Sequence, residues 1–179
     1  MVLMIASDIH GSAYWCRKLV GAFEKEGAER LLLLGDILYH GPRNALPKEY
    51  NPQDVVEMLN KLKEKIICVR GNCEAEVDQM LLEFPVMADY AAVVLNGNTT
   101  IYATHGHVYN ETNPLPFSEG AILACGHTHV PKCEKHDGFV YINPGSVSIP
   151  KEDSHHGYII YRDGAFQWKD FLGNVIMEY

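Results

Sequence analysis

The 179-residue sequence predicts an α/β fold built around two sheets. In the first half, short apolar runs without polar alternation (residues 1–7, 31–34 and 66–69) are separated by stretches of helical spacing. That order indicates parallel strands buried on both faces by crossover helices. In the second half, strand-like runs come in pairs about tight polar turns, which read as hairpins and point to a second, more antiparallel sheet packed against the first. The composition, 47% apolar and 21% charged, is that of a soluble globular protein. Its length fits one domain over residues 1–179.

The elements follow in order. Residues 1–7 read as the first strand, and residues 13–26 as a helix through Trp15, Leu19, Ala22 and Phe23. Residues 31–34 form the second strand. Asn51 supplies an N-cap and Pro52 a first-turn proline for a helix through Val55, Val56, Leu59 and Leu62, and residues 66–69 close the parallel set. Residues 90–95 and 99–103 flank the turn Asn96-Gly97-Asn98, and later runs flank Asp137-Gly138 and Asp163-Gly164. Further strands at 121–125, 140–142 and 157–161 are expected in the second sheet. Residues 108–120, with Pro114 and Pro116, read as loop with at most a helical turn, and residues 152–156 as a solvated loop.

Several function classes are disfavoured at once. With 15 basic and 23 acidic residues the net charge is −8, which repels a polyanion, so bulk nucleic acid is not the expected partner. The longest apolar runs have six residues, whereas a membrane helix needs about 20. Residues before Asp8 lack the basic start and long apolar stretch of a secretory signal, so a cytoplasmic location is expected. Five cysteines without a CxxC pair read as reduced thiols and exclude a zinc finger.

Metal-ligand residue types recur at the carboxyl ends of the predicted strands. Asp8 and His10 follow the first, Asp36 the second, Asn72 the third, His105 the run ending at Thr104, and His127 and His129 the run ending at Cys125. In an α/β sheet those ends share one crevice. A pair of divalent ions about 3.5–4 Å apart needs a bridging carboxylate, imidazoles and an open position for water, and Asp36 is the best bridge. The oxygen and imidazole mix suits manganese, iron or zinc better than calcium. His136, His155 and His156 carry no such neighbours and read as surface or satisfied core residues.

The set Asp8-Ile9-His10, Gly35-Asp36, Gly71-Asn72, His105-Gly106 and Gly126-His127-Thr128-His129 resembles the calcineurin-like metallophosphoesterase superfamily. HGPRNALP (40–47), VRGNC (69–73), VDQMLL (77–82) and NPGSVSIPK (143–151) make it more similar to the YfcE-type bacterial phosphodiesterases within that superfamily. The resemblance implies a four-layer α/β/β/α sandwich of two mixed sheets flanked by helices, with a dinuclear site at one edge. It assigns Asp8, His10 and His129 to one ion, Asn72, His105 and His127 to the other, and Asp36 to both. Two divalent ions per chain are implied, manganese foremost, with iron, zinc, cobalt or nickel as alternatives. The implied reaction is in-line attack of a metal-bridging hydroxide on a small phosphodiester.

Where much of the superfamily has a histidine after Gly-Asn, this chain has Cys73. A thiol is a poor donor and no cation, so slow turnover on model substrates is expected. Cys73 either contacts the leaving group or is simply packed. His107 is the alternative donor, Arg70 and Arg43 are candidate phosphate clamps, and Asn44, in the long loop 40–47, is a candidate substrate contact. The competing readings are a catalytically weak protein-binding scaffold, as for a retromer subunit similar in outline, and a nuclease. Self-association into a homo-oligomer is left open.

Overall fold

Parallel pairing organises the first half as the apolar runs predict. In the computed structural model, which describes residues 1–95 and 99–179, strand β1 (Leu3–Ala6) lies parallel to β2 (Arg30–Leu33), and β2 parallel to β3 (Ile66–Cys68). The crossovers are α1 (Ala13–Lys25) and α2 (Pro52–Asn60). Ser12 Oγ caps α1 by accepting from the Trp15 amide, and Asn51 caps α2 by accepting from the Asp54 amide, ahead of Pro52. Ala13, Cys16, Leu19 and Phe23 give α1 its buried stripe. A short helix α3 (Glu76–Leu81) follows β3.

The second half supplies β4 (Ala91–Val94), β5 (Thr100–Ala103), β6 (Ala121–Ala124), β7 (Pro131–His136), β8 (Phe139–Pro144), β9 (Gly157–Arg162), β10 (Ala165–Asp170) and β11 (Val175–Glu178). Strands β4 and β5 pair antiparallel, although the turn Asn96-Gly97-Asn98 itself lies outside the described residues. The hairpins about Asp137-Gly138 and Asp163-Gly164 are present as β7–β8 and β9–β10.

One assignment is corrected. The strand at 157–161 and its hairpin belong to the first sheet, whose order is β11-β10-β9-β1-β2-β3, while the second is β4-β5-β6-β8-β7. Both sheets are mixed, because β9 pairs antiparallel with β1 and because β5, β6 and β8 are mutually parallel. The reason lies in β9 itself: Gly157–Tyr161 is buried on both faces. Tyr158 and Ile160 face the helices while Ile159 and Tyr161 face the second sheet. A strand with no polar face needs cover on both sides, and the open edge of β1 provides it.

Layering follows from alternation along β1. Met4 and Ala6 pack with Leu19, Phe23, Val55 and Leu59 of the helices, whereas Leu3 and Ile5 meet Ile101, Ile122 and Ile142 of the second sheet. Trp168, fully buried between the sheets, donates from Nε1 to the Asn143 carbonyl at 2.7 Å and so joins them with a polar tie. Leu123, Cys125 and Tyr141 on the outer face of the second sheet pack with Tyr102, Phe117 and Phe139. The result is the expected α/β sandwich of two mixed sheets with helices. Among the described residues no helix is long and apolar enough to cross a membrane.

Candidate metal centre

The two halves deliver their polar residues to one edge. Asp8 and His10 leave β1, Asp36 leaves β2, Asn72 leaves β3, His105 leaves β5, and His127 and His129 leave β6. Asp8 Oδ1 lies 3.4 Å from His10 Nε2 and 3.1 Å from His129 Nε2. On the other side, His105 Nε2 lies 3.1 Å from Asn72 Oδ1 and 3.2 Å from His127 Nδ1. Asp36 stands between the groups, with Oδ2 3.8 Å from His10 Nε2 and Oδ1 3.5 Å from His105 Nε2.

Tautomers decide what these atoms can do. His10, His105 and His129 each place Nδ1 on a backbone carbonyl, of Tyr39, Leu34 and Ile149 respectively, at 2.7, 2.6 and 2.6 Å. A carbonyl only accepts, so each Nδ1 carries a proton and each ring turns Nε2, the nitrogen left for a cation, inward. His10 Nε2 and His129 Nε2 then face each other at 3.2 Å, close enough to need a proton or a metal ion between them. Two lone pairs at that distance repel, and a shared cation removes the repulsion. Asp8 Oδ1, buried without a hydrogen-bond partner, is the matching carboxylate atom. The donor set therefore fits divalent metal: Asp8, His10 and His129 form one candidate ligand group, and Asp36 enters two more, with His10 and Cys73 on one side and with Asp8 and His105 on the other.

Charge and strain agree with that reading. Burial works against ionised Asp8, but the His10 and His129 side chains outweigh it and hold the carboxyl well below its usual range. Burial followed by His105 lowers His127, keeping a lone pair available there. Asp8, His10, Asp36, His127 and His129 all sit at positive φ, between 49° and 66°. Left-handed backbone at a residue other than glycine costs of order 1–3 kcal/mol, and such strain clusters at ligand sites.

A family model described as the calcineurin-like phosphoesterase superfamily domain matches residues 1–162. The chain belongs to this superfamily. It is 47% identical over 149 residues to phosphodiesterase YfcE of Escherichia coli K12, covering 83% of this chain and 80% of that protein. The solved structure of E. coli YfcE, a phosphoesterase, superposes with a TM-score of 0.97 at 42% identity, covering 100% of this chain and 98% of that one. Vps29 of Chaetomium thermophilum shares the fold alone, at 14% identity and TM-score 0.63 over 99% of this chain and 96% of that one.

The phosphoesterase opens above these atoms into a cleft of about 430 Å³, bounded by His10, Asp36, Asn72, Cys73, His127 and His129 and, further out, by Arg43, Asn44 and Lys151. Cys73 is half-buried there: its amide donates to Asp36 Oδ1 at 2.9 Å, and Asn72 Nδ2 lies 3.2 Å from its Sγ. Burial and then the Asp36 carboxylate push the thiol far up, so it stays protonated at neutral pH. His107 stands apart, bounding a neighbouring cavity of about 110 Å³ with Asp89 and His105, its ring 5.3 Å from that of His105. Burial, then His105, lowers the His107 pKa, with a lesser contribution from the Arg70 charge. Neither His107 nor Arg70 borders the main cleft. His156, expected at the surface or satisfied, stacks on Trp15 with centroids 3.6 Å apart.

Sequence reading missed the supports of this phosphoesterase's site. Glu74 is 4% exposed, and its carboxylate accepts from the amides of Asp36 (2.9 Å), Ile37 (2.7 Å) and Gly71 (2.5 Å). Ser7 Oγ donates to Asp8 Oδ2 at 2.6 Å, turning the other oxygen toward the imidazoles, and Ser146 and Ser148 hydroxyls donate to the Asp8 carbonyl. Two glycines make the room: a Cβ on Gly71 would lie 2.1 Å from Asp36 Oδ1, and one on Gly126 would lie 1.9 Å from Ser7 Oγ. Glu74 sits in the acidic run 74–78, where residue type gave no signal. The motif 143–151 was visible, but not that it cradles Asp8 and His129.

Proposed function

We propose that the chain is a single-domain, metal-dependent phosphodiesterase that hydrolyses a small phosphodiester at a dinuclear centre. Asp8, His10 and His129 hold one divalent ion, Asn72, His105 and His127 the other, and Asp36 both, manganese being the first choice among manganese, iron, zinc, cobalt and nickel. The reading rests on the inward lone pairs of His10 and His129 at 3.2 Å, each ring fixed by a carbonyl behind it. The identity to a phosphodiesterase supports the reaction class. Bound ions supply Lewis acidity and lower the pKa of water toward neutrality.

The residues do the rest. The imidazoles, each held by a carbonyl behind it, are pre-aimed, so little reorganisation accompanies charge development at phosphorus. Cys73 borders the cleft on the leaving-group side, but a thiol pushed so far up by burial and the Asp36 carboxylate gives its proton reluctantly, so the leaving oxygen is only weakly assisted. A scaffold would not need converged ligand atoms, and a nuclease would need a surface attractive to a polyanion, which a net charge of −8 opposes.

Chelator treatment is expected to abolish hydrolysis of an activated aryl phosphodiester and added manganese to restore it, with the diester preferred to the matching monoester. The reading is overturned if manganese, iron, cobalt, nickel and zinc all fail to support hydrolysis of either ester.

Cys73→His replaces the thiol with a donor of unperturbed pKa about 6.5, matched to neutral pH. Turnover of the diester is expected to rise about tenfold, equivalent to about 1.4 kcal/mol of barrier, and to rise more for poorer alkyl leaving groups. Steady-state rates on aryl and alkyl diesters, with metal content measured beside them, test this. An unchanged rate with both ions retained places Cys73 outside the reaction.

A further inference from the structure

The cleft has a buried floor and an exposed, positively charged rim. Asp8, His10, Asp36 and His129 at the floor are 0–3% exposed, whereas Arg43 and Lys151 reach the solvent. The two cations stand on separate walls. Arg43 belongs to the loop after β2, which is held as a closed turn by Asn44, whose amide donates to the Gly41 carbonyl at 3.3 Å and whose Nδ2 donates to the His40 carbonyl at 2.9 Å. A Cβ built on Gly41 would lie 3.6 Å from Cys73 Sγ, so this wall runs close against the floor. Lys151 belongs to the segment after β8, its amide donating to the His129 carbonyl at 3.2 Å and its carbonyl accepting from Ser154 Oγ at 2.6 Å.

Both cations are free to act on a ligand. Like most basic side chains of this chain, Arg43 and Lys151 make no ion pair among the described residues; they are set apart by lining the cleft. The reacting phosphate belongs over the floor, where the divalent ions that these groups would hold would meet its charge. Two unpaired cations at the rim of a cleft of about 430 Å³, in a chain of net charge −8, are then left for a second small anion rather than for a long polyanion. That volume is in the range of small-molecule sites.

We infer that the cleft takes a diester whose non-leaving arm carries its own anionic group, a carboxylate or a phosphate, seated between Arg43 and Lys151. This rests on the phosphodiesterase reading above and specifies its substrate class. The planar guanidinium of Arg43 can take either anion by two parallel hydrogen bonds, and Lys151 adds a point charge from the opposite wall.

The test uses the manganese-loaded protein and three diesters with one aryl leaving group. Their second arms are ethyl, 2-carboxyethyl and 2-phosphonoethyl, the phosphonate having no ester bond to cleave. At least one anionic arm is expected to raise kcat/KM about tenfold or more over ethyl, mainly through KM, and the better of the two names the anion. The preference is expected to shrink toward unity in an Arg43→Ala, Lys151→Ala double variant. It should shrink likewise in the native protein at about 1 M salt, where the screening length is about 3 Å. Equal kcat/KM for all three diesters overturns the inference while leaving the phosphodiesterase reading intact. A preference that survives the double substitution also overturns it, and hydrolysis of none overturns both.

Discussion

Asp36→Ala is expected to leave the protein without either firmly held divalent ion and to lower kcat/KM for a diester by about a thousandfold or more. The magnitude follows from geometry: Asp36 alone presents one oxygen toward His10 and the other toward His105, at 3.8 and 3.5 Å. Removing it takes a ligand from both groups, and loss of several kcal/mol of charge stabilisation corresponds to about three orders of magnitude. His10→Ala, which touches one group, is expected to retain one ion. Elemental analysis of the purified variants, beside thermal melts to confirm folding, checks the result. Two ions retained in Asp36→Ala refute the bridging role.

Glu74→Ala is expected to lower stability by about 3–5 kcal/mol, because it strips the shared acceptor from three buried amides and leaves a void behind them. For a chain of this length that corresponds to a fall in Tm of about 10 °C. Melts run with chelator present separate this loss from any loss of metal stabilisation. Glu74→Gln should fall between native and alanine: its oxygen can still accept from Asp36 and Gly71, but its NH₂ then confronts the Ile37 amide. Alanine and native proteins melting within about 2 °C of each other would refute Glu74 as the brace that joins the loop after β2 to the loop after β3.

Much of this molecule was legible in the chain. The parallel β1-β2-β3 set declared itself through apolar runs without alternation, and the hairpins about Asp137-Gly138 and Asp163-Gly164 through their turns, because both signals are local and backbone hydrogen bonding turns them directly into structure. The gathering of Asp8, His10, Asp36, Asn72, His105, His127 and His129 at one edge was equally legible, since all seven follow strand ends.

What the sequence could not contain is anything fixed by partners distant along the chain. That β9–β11 join the first sheet depends on the open edge of β1, some 150 residues away in sequence. That Glu74 is buried depends on amides in a loop 37 to 38 residues earlier. Tertiary packing alone separates Arg43 from Arg70, placing the first at the cleft and the second outside it, and alone brings Lys151 to the rim. Above all, carbonyls of Tyr39, Leu34 and Ile149, 29, 71 and 20 residues from their rings, fix which nitrogen of His10, His105 and His129 faces inward. Residue types along the chain determined which atoms could bind a cation. Hydrogen bonds closed across the fold decided that their lone pairs converge, because a ring's tautomer is set by whatever acceptor the folded chain puts behind it.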